Sequence, residues 1–409
     1  MPVLGIKTLD DVDVTGKRVL VRVDFNSPID PQTGRILDDT RIRTHGEKTI
    51  RELVDRRAMV TIIAHQGRKG EPDFVSLSEH ARVLERVIER PVKFVDDIFG
   101  EKAVDAIKSL KEGDVLLLEN VRFWDGETTK AAPEEHAKSE LVKRLAPLFE
   151  VFVMDAFAAA HRLHASIVGF IPAVSEIAVG RVMEAELKAL ERVRNNPRHP
   201  CVYILGGAKA EDSANVARAV LSQGIADYVL TGGLVANLFL HAQGHDLGKP
   251  NASLLEKKGF IELVPEVKKL LADYGDRVIL PVDLAIDKDG RREIIKLSSL
   301  PTPYAIKDIG DETIETYAQL VERAETIVMN GPMGVFEEEA FATGTAGLFE
   351  AISRSKGFSL IGGGHTIAAA RTLGYSDKVS FISTGGGALM RYLSKGTLPV
   401  IEALKRYGR

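Results

Sequence analysis

The stretch Phe381-Ile-Ser-Thr-Gly-Gly-Gly-Ala-Leu-Met390 runs a short apolar segment into three glycines and then into a helical pattern. Glycines between a strand and a helix allow a tight turn. They also let several backbone N–H groups, at the positive end of the helix dipole, converge on one spot. Such a turn suits an anion, most often a phosphate. Strand, glycine turn and helix in that order are also the repeating unit of a parallel α/β sheet, so the next question is how often the pattern recurs.

Five apolar segments of the second half end in glycine-bearing turns: ILGGAK (204–209), LTGGL (230–234), MNGPMGVFE (329–337), IGGGHT (361–366) and STGGGA (383–388). One Gly-Gly pair is usually just a tight turn, but five at strand ends point to a surface where a flat ring or a phosphate lies against the main chain. Lys209 is placed to meet phosphate oxygens, and Glu337 to hold ribose hydroxyls. No G-x-x-x-x-G-K-[ST] occurs and no clean G-x-G-x-x-G opens a βαβ unit, which argues against a Walker-type NTPase and an NAD-dependent dehydrogenase.

The first half reads differently. Only 11 of the 36 glycines fall in residues 1–180. Its apolar runs end in polar residues instead: VRVDFN with Asp24 and Asn26, TIIAHQGR with His65 and Arg68, LLLENVRF with Asn120 and Arg122, and VMDAFAAAHR with Asp155, His161 and Arg162. Ligands of open parallel sheets sit beyond the carboxyl ends of the strands. Arg41, just after a helix start at Asp38 or Asp39, adds another cation to that edge. Such a gathering of guanidinium and imidazole groups repels itself unless a multiply charged anion sits among them, and Arg pairs with phosphate and carboxylate through parallel N–H groups. A small phosphorylated acid fits. The alternative for each Arg taken singly is a helix cap or a surface ion pair.

Composition bounds the rest. A chain of 409 residues exceeds one ordinary core, and 44% hydrophobic with 27% charged residues is that of a globular protein. A net charge of −4 gives no basic stripe for nucleic acid. No apolar run approaches 18 residues and the start MPVLGIKTLDD lacks a signal-peptide core, so a cytoplasmic protein without membrane attachment is expected. Cys201, the single cysteine, reads as a small core residue.

Alternating β-branched runs and amphipathic stretches predict a parallel α/β fold, and the length predicts two domains. Strands are expected near 18–25, 59–64, 92–95, 115–119 and 151–155, then 201–205, 227–231, 277–283, 326–329, 358–361 and 379–383. VMEAELKALERVRNNPRHP ends at Pro197 and Pro200 and suits a connecting helix. The expected division is 1–181, a hinge at 182–198, a second domain at 199–394, and a tail at 395–409 returning to the first domain.

RVLVRVDFN, DDTRI, AHQGR, GDVLLLENVRF, DAFAAAHRLHAS, LGGAK, IGDETIETY, NGPMGVFE, GTAG, IGGGHT, STGGGA and LPVIEAL, in that order and nearly end to end, resemble the phosphoglycerate kinase family, with HQGR and GGGHT nearer its archaeal branch. The resemblance implies an α/β fold of two Rossmann-like domains, each with a mainly parallel sheet flanked by helices and joined by a hinge helix, with 3-phosphoglycerate or 1,3-bisphosphoglycerate on the N-terminal domain, ATP or ADP with Mg²⁺ on the C-terminal one, and no obligate protein partner. By motif, Asp24, Asn26, Arg41, His65, Arg68, Arg122 and Arg162 match substrate-binding positions. Gly206, Gly207, Lys209, Gly232, Gly233, Asn330, Pro332, Val335, Glu337, Gly362, Gly363, Gly364, His365 and Thr366 match positions around the nucleotide. Gly385, Gly386 and Gly387 fall where the family stabilises the phosphoryl group in transfer; with Arg41 and Lys209, Gly386 and Gly387 make the expected catalytic set.

Two positions depart from bacterial and eukaryotic members: Ser213 stands where they carry a second lysine, and His365 where they carry an aspartate near the metal. How Mg²⁺ is held is left open, because this ion prefers oxygen ligands to imidazole. Two rival readings remain at this point: a kinase of another small acid, and a nucleotide-binding protein that has lost catalysis.

Overall fold

The computed structural model describes residues 2–408. The chain divides into two compact units: one runs through Lys188 and takes up the chain again from Thr397, and the other is Ala189–Gly396. Each is built around its own six-stranded parallel sheet.

The first sheet has strands β1 (Arg18–Arg22), β2 (Met59–Ile63), β3 (Val92–Val95), β4 (Val115–Leu118), β5 (Val151–Met154) and β6 (Glu176–Val179), in the order β3-β4-β2-β1-β5-β6. Every residue of β4 and β5 is buried. Helices cover both faces of a parallel sheet, so such strands read as unbroken apolar runs. The order reverses between β1 and β5, which opens a crevice at their carboxyl ends. The helix Arg181–Leu190 starts beside this crevice, because the Asp155 carboxylate accepts hydrogen bonds from the backbone N–H of Val182 and of Met183, both at 3.0 Å. The returning segment belongs to this unit: Val400 N–H reaches the Ala160 carbonyl at 3.3 Å and Arg406 pairs with Glu134 at 2.8 Å.

The second sheet contains β7 (Cys201–Leu205), β8 (Tyr228–Thr231) and β9 (Val278–Ile279). The chain then makes a separate antiparallel sheet from β10 (Asp283–Lys288), β11 (Arg291–Lys296) and β12 (Ala305–Ile309) before β13 (Thr326–Asn330), β14 (Phe358–Gly362) and β15 (Phe381–Ile382) complete the parallel one. The order is β15-β14-β13-β7-β8-β9, with its reversal between β7 and β13. A fully buried Cys201 opens β7, in keeping with the core role expected of it.

Two features went unforeseen. β6 is four residues long and has little pattern of its own, and the expected strand at 277–283 is the short β9 followed by the start of β10. The β10–β11 hairpin turns at Asp289-Gly290, where φ is +54° and +79°. An Asp-Gly pair between apolar runs is the ordinary signal for such a turn.

Candidate functional site

The first unit has a cavity of about 490 Å³ lined by Asn26, His65, Arg68, Arg122 and Arg162, with Glu71 and Asp73 also on its wall. Five of the seven positions expected to take substrate therefore share one cavity. Asp24, two residues past β1, forms an ion pair with Arg41 on the helix Thr40–His45, both outside this lining, and 40% of the Arg41 side chain is exposed. Asn26 Oδ1 accepts from the Gly67 N–H at 2.8 Å, which fixes the loop that carries Arg68.

Behind the cavity lies a charged layer that sequence reasoning missed. Arg22 is fully buried at the end of β1. Its Nε donates to Ser166 Oγ at 2.9 Å, Nη1 donates to the Val23 carbonyl, and Nη2 lies 3.0 Å from His65 Nδ1. Glu127, also fully buried, accepts from the Ser166 hydroxyl at 2.7 Å and from its N–H at 2.8 Å. A guanidinium only donates, so His65 Nδ1 accepts and the ring is neutral with its proton on Nε2. Burial, and then the charges of Arg22, Arg122 and Arg162, hold the His65 pKa well below 6.5. His65 thus brings a neutral N–H donor to the cavity wall.

Burial lowers the Arg122 pKa to about 10, and Arg162 and Arg22 push it the same way. Arg162 is lowered chiefly by burial, with Arg68 and Arg41 adding repulsion and Asp24 opposing. This mutual repulsion is what a bound polyanion relieves.

Asn120 and Asp155, singled out in the sequence as polar strand ends, turn out to be fully buried supports. The Asn120 amide donates to the carbonyls of Gln66 at 2.8 Å and Val75 at 3.0 Å. Asp155 holds His45 at 2.7 Å and the helix start at Val182. A side chain at a strand end supports a loop as readily as it faces a ligand, and only its partners tell the two apart.

The second unit has a cavity of about 460 Å³. Gly206, Gly207, Lys209, Gly233, Asn330, Pro332, Val335, Glu337, Gly363, Gly364, His365 and Thr366 all line it. Gly232 and Gly362 are buried behind the wall. Gly386 caps and Gly387 begins a further helix, Gly387–Lys395, outside this lining. Three helices start at the cavity: Ala210–Ser222 with Lys209 at its cap, Gly233–Gln243, and Gly364–Thr372. The opening N–H groups of the first and third favour anions, whereas in Gly233–Gln243 the Gly233 N–H already donates to the Met333 carbonyl at 2.7 Å and the Val235 N–H to the Gly207 carbonyl at 3.3 Å. Lys209 is exposed and makes no ion pair among the described residues.

The glycines act in a way the sequence did not disclose. At Gly331, with φ +93°, an added Cβ would overlap the Gly206 carbonyl, and at Gly233, with φ +57°, it would stand 2.8 Å from the Gly207 nitrogen. These turns are glycine-rich because they pack on one another. Gly364 differs: it has no protein atom within 4 Å of such a Cβ, so its open side faces free space. Thr366 Oγ1 accepts from the Gly331 N–H at 2.7 Å and ties the β13 turn to the third helix start, while the buried Asn330 Nδ2 has no partner.

Ser213 is fully buried and does not line the cavity, so it does not stand in for a lysine there. His365 is exposed in the first turn of its helix. Among the described residues no group of three or more His, Cys, Asp or Glu side chains could hold a metal ion. The side chains present therefore do not fit a protein-held Mg²⁺, which wants several oxygen ligands. Among the described residues no helix is long and apolar enough to cross a membrane.

A sequence model described as phosphoglycerate kinase matches residues 9–396. The phosphoglycerate kinase of Methanothermobacter thermautotrophicus is 49% identical over 98% of this chain and 96% of its own, and that of Sulfurisphaera tokodaii 43% identical over the same shares. The chain belongs to the phosphoglycerate kinase family. The crystal structure of phosphoglycerate kinase from Pyrococcus horikoshii aligns with a TM-score of 0.89 at 41% identity, covering 99% of this chain and all of that one. The structure of the kinase from Coxiella burnetii gives 0.85 at 32% identity with the same coverage. Family membership accounts for the pairing of one cation-lined and one glycine-lined cavity in a single chain.

Proposed function

We propose that this chain is a phosphoglycerate kinase that moves a phosphoryl group reversibly between 1,3-bisphosphoglycerate and ADP, giving 3-phosphoglycerate and ATP. It would serve glycolysis and gluconeogenesis in the cytoplasm without an obligate protein partner. The observation that carries this reading is the contrast between the cavities. One offers three guanidinium groups and a neutral imidazole N–H, which suits a phosphorylated carboxylic acid. The other offers helix N-termini, Lys209 and an apolar wall, which suits a nucleotide.

The acceptor is a carboxylate and already a nucleophile, so no general base is needed. In the direction of 3-phosphoglycerate phosphorylation, a carboxylate oxygen forms the new P–O bond as the bond from the γ-phosphorus to the bridging oxygen of ADP breaks. Arg68, Arg122, Arg162 and the His65 N–H orient the acid. Arg41, Lys209 and the N–H groups at Gly386 and Gly387 stabilise charge on the moving group. Mg²⁺ bound with the nucleotide would neutralise charge on the phosphates, which Lys209 and the helix N-termini would hold. Because each ligand has its own unit, turnover requires hinge bending about 182–198 that brings the ligands together and excludes water.

The test is a coupled assay of phosphoryl transfer from MgATP to 3-phosphoglycerate, with Lys209→Ala as control. Robust activity that the variant loses supports the reading. Purified protein that binds nucleotide yet transfers nothing over a range of metals and temperatures refutes it.

A further inference from the structure

The nucleotide cavity has an apolar end formed by Leu234, Ala236, Leu284, Ile306 and Ile309, and one side chain in that wall is out of character. Asn237, in the first turns of the helix Gly233–Gln243, is only 3% exposed, lines the cavity, and makes no hydrogen bond to any described residue. A nearly buried amide without a protein partner calls for an explanation in a native protein, and the Asn237 amide atoms are not among the fully sealed unpartnered ones, so they open on the cavity.

The other polar groups at this apolar end are already engaged; the unpartnered Asn330 Nδ2 lies at the Gly363 turn instead. The Asp308 carboxylate accepts from the N–H of Gly344 at 2.7 Å and of Ile309 at 2.9 Å. The Lys307 amine pairs with Asp287 and Glu338, each at 2.7 Å, and the Lys307 carbonyl accepts the Val335 N–H at 2.8 Å. That leaves the Asn237 amide to meet the polar edge of a base whose flat faces lie against apolar side chains.

We propose that Asn237 is a specificity-determining residue that reads the six-position edge of the purine. Its carbonyl accepts from the 6-amino group of adenine, and its NH₂ donates to the neighbouring ring nitrogen. This rests on the nucleotide reading above and adds the atom pair that recognises the base. A site built to hydrogen-bond a ligand group discriminates against the analogue lacking it, because the buried partner is then left unpaired.

The experiment is isothermal titration calorimetry of the full chain with ADP and with purine riboside 5′-diphosphate, which lacks only the 6-amino group, on the wild type and on Asn237→Leu. The wild type should bind ADP about tenfold more tightly than the analogue, and the variant should bind the two alike, with the loss falling on ADP. Equal binding of both by the wild type overturns the proposal, and so does a variant that weakens both by the same factor, since that marks a packing role. Should Asn237→Leu not fold, Asn237→Ser takes its place under the same two criteria. Failure of either diphosphate to bind would remove the nucleotide reading along with it.

Discussion

On the proposed function, the two units would meet anions by different physics. The first concentrates charged side chains in its cavity and supports them with a buried layer, Arg22 and Glu127, whose own desolvation must be offset by hydrogen bonds. The second uses almost no side-chain charge. It aims helix N-termini at the ligand and packs its turns so closely that only glycine fits. A side-chain site discriminates by charge and fork geometry and is sensitive to single charged residues. A main-chain site is sensitive to anything that adds a Cβ.

The sharpest way to break this contrast is Arg41→Ala. Arg41 is 40% exposed and holds only Asp24, so the fold should survive while kcat falls about a thousandfold, the scale of losing one preorganised charge at a transition state. Steady-state kinetics beside a thermal melt checks this, and a variant that keeps most of its kcat would remove Arg41 from the transfer step.

Next in size is the glycine contrast. Gly331→Ala should destabilise the second unit by about 3 kcal/mol, from a backbone overlap in a left-handed conformation. Gly364→Ala should change stability by less than about 0.5 kcal/mol and instead raise the KM for ATP. Urea titration read by far-UV circular dichroism, together with kinetics, separates the two; equal stability loss in both variants would show that the second unit's glycines do not divide in this way.

Arg22→Lys sharpens the other side. A single ammonium cannot replace donors to His65, Ser166 and the Val23 carbonyl at once. The KM for 3-phosphoglycerate should rise about tenfold while that for ATP stays unchanged, and the ¹⁵N shifts of His65 should show both tautomers instead of one. An unchanged His65 spectrum would contradict the lock.

The last contrast is a difference in pH response, read as the sign of a slope, with each shifted group able to contribute up to about 1.4 kcal/mol per unit of pH. Burial holds His80 at about 4, His164 at about 3 and His65 well below 6.5, so the first unit binds fewer protons than its unfolded chain and loses stability as pH falls from about 6.5. Glu127, raised by burial, opposes this in part. In the second unit burial lifts Asp308 from 3.8 to about 7; its folded form keeps a proton that the unfolded form gives up, so that contribution is lost as pH rises from about 4 through 7. Trp124, the only tryptophan, reports the first unit by fluorescence, and amide exchange in β13 reports the second. Parallel slopes between about pH 4.5 and 6.5 would contradict the assignment.

The parallel sheets were legible because apolar runs, glycine turns and helical spacing agree, and most strands lie within a residue or two of expectation. The antiparallel sheet carries an Asp-Gly signal too short to stand out beside them, and β6 has too little sequence to read. Of the candidate sites, the cavity-lining residues stood out because they come directly after strands. Arg22 did not, since it is the last residue of the strand itself, where a charge reads as surface until burial is known. Nor did Asn237, inside an apolar helix, whose significance is the absence of a partner. Packing between the glycine turns is tertiary information and lies in no single turn.

The most direct test is a crossed calorimetric titration: 3-phosphoglycerate and ADP, each measured on the wild type, on Arg122→Ala and on Lys209→Ala. Separate sites built by separate means predict that Arg122→Ala loses the acid and keeps ADP affinity within about twofold, and that Lys209→Ala does the reverse. A variant that loses both ligands alike, with its fold intact by circular dichroism, would contradict the division of labour between the two units.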